Sequence, residues 1–135
     1  MKISVLIIII VIAVVLLVVL NLLNRSSPKG IDSTHFKNEW NDCLELSKDS
    51  KTRPMSIIQA DKLLDQALKC LEFKGETMGE RLVSGKNRLK HRDELWSAHK
   101  LRNKIVHETG FEPTEKQVKL ALKSYHATFK DLGVW

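Results

Sequence analysis

Cysteine is scarce in this chain of 135 residues. Cys43 and Cys70 stand in neither a CxxC nor a Cys/His ligand spacing, which argues against a zinc site and against a disulfide-dense scaffold. Two free thiols on apolar helix faces suit a reducing compartment, where both act as small buried hydrophobes; one bridge between them is the alternative left open. Signatures of a metal-dependent hydrolase are missing too. There is no HExxH, no paired carboxylate motif, and no glycine-rich phosphate loop behind a strand, so neither a metal nor a cofactor is expected. No alternating apolar and polar run is long enough for a convincing strand, and no useful internal repeat occurs. Once an apolar N-terminal stretch is set apart, roughly 105 residues remain, enough for one small domain with a single core.

That stretch, residues 3–23, carries no charge and is interrupted only by Ser4 and Asn21. As a helix it would measure about 31 Å, the thickness of a bilayer core. Its density in Ile, Val and Leu, with only Ala13 small inside it, argues for a retained anchor rather than a cleaved signal. Lys2 and the terminal amine oppose Arg25, Lys29 and Lys37 across this span. The slight excess on the long side predicts a single-pass cell-membrane protein whose soluble part is cytoplasmic.

Residues 1–23 are thus expected as a transmembrane anchor, 24–31 as a linker containing NRSSPKG, and 32–135 as a helical domain. Within the domain, Ser33 is expected to cap a helix reaching about Lys48 that buries Phe36, Trp40, Cys43 and Leu44. Pro54 suits the start of a second helix, with Ile57, Ala60, Leu64, Ala67, Leu68 and Leu71 on its apolar face and Gly75 ending it. A short helix around residues 80–83 and a basic loop follow. Thr114 and Gln117 form a capping-box start for the last helix, whose stripe is Val118, Ala121, Leu122, Tyr125, Phe129 and Leu132. The fold class is all-α: the anchor, four main helices and one short helix.

Residues 95–108, LWSAHKLRNKIVHE, bear the chemistry-bearing side chains. On a helix beginning near Arg92 and stopped by Gly110, Leu95, Ala98, Leu101, Ile105 and Val106 form one apolar arc with Arg102 at its middle. A fixed cation there calls for an anionic partner or an opening where a ligand or second subunit arrives. His99, Asn103 and His107 share the neighbouring face. From Ile31 onward the chain carries 19 basic and 16 acidic residues. Arg81, Lys86, Arg88, Lys90, Arg92, Lys100, Arg102 and Lys104 concentrate the excess, opposed within that window only by Asp93 and Glu94. Such a window suits an RNA backbone, with anionic lipid or a protein partner as the alternative; the plainer account is a solvated basic face.

RNKIVH, with Arg102, Asn103 and His107, resembles the signature of the HEPN superfamily. The resemblance spans the domain from about residue 32 onward and is specific in the motif helix. It implies a four- or five-helix bundle pairing as a homodimer, so that two motifs compose a metal-independent endoribonuclease site. In that chemistry His107 would exchange a proton, Arg102 would clamp the phosphate, and Asn103 would orient the histidine or the scissile group, with His99 as a further acid or base. Arg102 and His107 lie about 140° apart on an ideal helix, so convergence needs a bent helix end or a second chain. The competing account has His107 meeting helix-end carbonyls, Arg102 snorkelling, and Trp96 packing at a seam, in a non-catalytic interaction module. Through GETMGERL and AHKLRN the chain is also similar to small membrane-anchored helical proteins of reduced-genome bacteria, a likeness that implies no function.

Overall fold

A computed structural model describes residues 2–23 and 30–135. The described residues form six helices and no strand: α1 (Lys2–Leu23), α2 (Ser33–Lys48), α3 (Arg53–Cys70), α4 (Met78–Ser84), α5 (Arg92–His107) and α6 (Glu115–Asp131). Within α1, Ile3–Leu20 is long and apolar enough to cross a membrane, and its side chains are exposed. Most of the expected linker, residues 24–29, lies outside the described residues, as do Arg25 and Lys29.

α3 is the central helix, packed against α2, α5, α6 and the short α4, while α5 and α6 pack on each other. Its sequence explains this: Ile57, Ala60, Leu63, Leu64, Ala67 and Leu68 make a wide apolar face and are all buried. Each large side chain so buried contributes about 1.5–3 kcal/mol. α6 supplies Val118, Ala121, Leu122, Tyr125 and Phe129 to the same core. Phe36 and Trp40 of α2 close the far end against Phe129 and Trp135.

Several helix ends differ from the sequence expectation. Asp32, not Ser33, caps α2, accepting from the amides of Thr34 and His35 at 3.0 and 3.1 Å. Ser33 is already inside the helix and its hydroxyl donates to the Val134 carbonyl. α3 ends at Cys70, before Gly75, because Phe73 is drawn into the core. The Phe73 and Glu72 amides bond back to Leu68 and Lys69 at 2.9 and 3.0 Å, a Schellman ending that holds Glu72 at φ 59° where glycine is the usual residue. α6 ends the same way with Gly133 in that role and Val134 buried. Cys43 is buried as expected, whereas Cys70, Leu44 and Val106 are exposed. The Thr114 and Gln117 capping box is present, and a second one, Thr77 with Glu80, starts α4.

A candidate acid–base groove between α3, α4 and α5

Asp61 sits on the apolar face of α3 and is 3% exposed. An isolated carboxylate there would be costly, and two neighbouring helices, α5 and α6, supply its partners. Its Oδ1 accepts from the Tyr125 hydroxyl of α6 at 2.9 Å and from His99 Nδ1 of α5 at 2.9 Å. A carboxylate only accepts, so this contact assigns a proton to Nδ1, and in the neutral ring His99 Nε2 is then an acceptor. Asn103, one turn along α5, places its amide nitrogen 3.4 Å from that Nε2. Its oxygen accepts from Arg102 at 3.0 Å, which sets the orientation of the side-chain amide. Tyr125 is pushed well above the ordinary phenol range by burial and by the adjoining Asp61 carboxylate, partly opposed by Arg102, so it serves as a donor.

Arg102 has both of the alternatives that its place in an apolar arc called for, an anionic partner and an opening. Its Nε lies 3.7 Å from Asp61 Oδ2, close enough for charge pairing but outside hydrogen-bond range. This buried Nε has no hydrogen-bond partner among the described residues. A third of the side chain remains exposed and lines a groove of about 600 Å³ between α3, α4 and α5. Trp96, His99, Lys100 and Asn103 share that wall, with Lys62 and Lys69 opposite. Trp96 and His99 lie 5.8 Å apart by ring centroids. Gly79, at the start of α4, passes beside them; a Cβ there would come 3.9 Å from His99 Nε2.

The groove brings together Arg102, Asn103 and His99, but not His107. His107 is exposed in the last turn of α5 and lines no part of it. α5 stays helical through His107, so the angular separation read from the sequence persists. The basic window also disperses. Arg81 is 4% exposed and held by Asp65 through Nε at 2.6 Å and through a second nitrogen at 3.2 Å, and by the carbonyls of Gly75 and Glu76. Burial would raise Asp65, but hydrogen bonds from Arg81 and Lys69 outweigh it and hold the carboxyl below its ordinary range. Arg88 stacks 3.9 Å over the Phe73 ring, Lys90 pairs with Asp131 and Arg92 with Asp93, while Lys104 lies 5.9 Å from the Phe111 ring. Of the expected anion-binding set, only Arg81 and Lys100 reach the groove, and Arg81 is occupied internally.

Asp61, Lys62 and Lys69 are side chains that sequence reasoning did not single out, and Tyr125 was read there only as part of an apolar stripe. One signal did exist. On a helical wheel Asp61 falls about 20° from Leu68, a charge beside an apolar arc much as Arg102 is within one. Among the described residues no cluster of three or more His, Cys, Asp or Glu could hold a metal ion. Chemically, the groove offers a proton acceptor at His99 Nε2, an arginine beside it, Lys62 and Lys100, and an indole face; Asp65 and Glu76 line it too, Asp65 pairing with Lys69 at 2.8 Å. Comparison of the chain with family models, characterised proteins and solved structures finds no match.

Proposed function

We propose that this chain holds a HEPN-like helical domain on the cytoplasmic face of a cell membrane through α1, and that the groove binds single-stranded RNA and cleaves it without a metal. The observation that carries the reading is the 2.9 Å contact between Asp61 and His99, which turns Nε2 toward a groove already containing Arg102. Lys62, Lys100 and Arg102 suit consecutive phosphates, and the half-buried Trp96 offers a face on which a base can stack. In the proposed step His99 Nε2 takes the 2′-hydroxyl proton as the 2′-oxygen attacks phosphorus. Arg102 offsets the charge that builds on the phosphorane. The P–O5′ bond breaks, the 5′-oxygen takes a proton from solvent, and His99 releases its own. Pairing of two copies belongs to the proposal, because it is the route by which His107 would join a site that α5 denies it within one chain.

A non-catalytic interaction module is the second reading, favoured by the Asn103 amide already lying against His99 Nε2. The test uses the full chain in lipid nanodiscs with mixed-sequence RNA in EDTA. Cleavage leaving 2′,3′-cyclic phosphate ends, abolished by His99→Ala and by Arg102→Ala, is the expected outcome. Cleavage that requires a divalent metal, or that survives both substitutions, overturns the mechanism. Three phosphate contacts predict that RNA affinity falls about 15- to 20-fold between 50 and 200 mM salt. Salt-insensitive binding, or none, decides for the second reading.

A further inference from the structure

α5 and α6 leave between them a second groove of about 770 Å³, on the other side of α5 from the His99 cluster, with Lys100 bordering both grooves. Its floor is made of Ala98 and Leu101 of α5 and Ala121 and Ala127 of α6, and Leu120 stands beside it 59% exposed. Small side chains on two adjoining helices let a third helix approach closely, and an exposed leucine gives it an apolar contact. A second feature points the same way. Ser124 lines the groove, is 6% exposed, and its hydroxyl has no hydrogen-bond partner among the described residues. A buried hydroxyl left unpaired is unfavourable, and a polar group on an incoming chain would relieve it.

The rim specifies what kind of chain. Lys100, Lys104 and Lys123 border the groove against one acid, Glu94. Among the described residues Lys100 and Lys123 form no ion pair, in contrast to Lys119 one turn away, which pairs with Glu115 at 2.7 Å. From Glu94 to Lys104 the groove follows α5 for about 15 Å, the length of three helical turns. We infer that this groove docks an amphipathic helix of a partner protein, with apolar anchors at i, i+3 or i+4, and i+7, and with acidic residues on both flanks. A second copy of this chain is a poorer occupant, since face-to-face pairing would set each copy's three lysines against the other's and offer one glutamate per chain in return. The inference does not rest on the RNA reading.

The test selects from a displayed library of 16-residue amphipathic helices, leucine and alanine on one face and glutamate or lysine randomised on the other. Its target is the full chain in nanodiscs. Glutamate-flanked helices should be enriched and should bind Leu120→Glu at least tenfold more weakly. Lys104→Glu/Lys123→Glu should reverse the selection to lysine-flanked helices. Leu120 is largely exposed, so unchanged tryptophan fluorescence will show that the variant folds. Enrichment of lysine-flanked or charge-indifferent helices by the wild type, enrichment unaffected by Leu120→Glu, or no enrichment at all overturns the inference. So does a wild-type dimer that sediments as a monomer on Leu120→Glu substitution, because the occupant would then be a second copy.

Discussion

Replacing Asp61 by alanine removes the acceptor shared by Tyr125 and His99 and the carboxylate nearest Arg102. Each hydrogen bond to a charged group contributes about 1.5–3 kcal/mol, and deleting one partner of a buried charged set costs about 3–5 kcal/mol. The larger range applies, since Tyr125 and His99 are both buried and water cannot readily replace the lost oxygen. All three tryptophans, Trp40, Trp96 and Trp135, belong to the bundle, so their fluorescence reports its unfolding with no signal from α1. In urea, with a slope of about 2 kcal/mol/M, Asp61→Ala should lower the midpoint by about 2 M. Tyr125→Phe alone should cost about 1.5–3 kcal/mol, yet little when added to Asp61→Ala, because the phenol has by then lost its acceptor. A loss below about 1 kcal/mol for Asp61→Ala, or full additivity of the pair, would refute the idea that one carboxylate organises three helices.

The Arg81–Asp65 pair should show itself in acid. Asp65 is held below its ordinary value in the folded state. Its stabilisation is therefore complete above the unfolded value of about 3.9 and is lost as pH falls through the lower folded value. The stability gap between wild type and Arg81→Gln should be full at pH 6 and narrow progressively below pH 4; a gap independent of pH sinks this account. The two thiols should separate cleanly. Burial, then Glu39 and Asp42, push the Cys43 thiol from 9.0 to about 11, whereas Cys70 is exposed. At pH 8 a disulfide reagent should titrate one thiol per folded chain quickly and the second only in denaturant. Because the folded value of Cys43 is raised, its contribution to stability holds below pH 9.0 and is lost as pH rises toward 11. Equal reaction rates for both thiols in the native chain would contradict the burial of Cys43.

The sequence by itself determined the helices, because what makes a helix acts over three or four residues. The 3.6-residue apolar period, the Thr114 and Gln117 box, and a charge-free run long enough for a bilayer can all be read along the chain. Arg102 was conspicuous for the same local reason. Even so, Leu68 and Phe73 overrode the stop expected at Gly75, since a distant core drew Phe73 inward and fixed the turn before it. The site was decided by tertiary structure. Asp61 reaches His99 across 38 residues and Tyr125 across 64, so no local spacing marks them as partners. The basic window shows the converse. Its charges adjoin in sequence, yet packing turns Arg81 inward onto Asp65, keeps Lys100 and Arg102 on the groove, sets Arg88, Lys90, Arg92 and Lys104 away from it, and draws Lys62 and Lys69 from α3 to join it. A count of charges along a chain carries no record of direction; which way each side chain points is set by the helices that pack beside it.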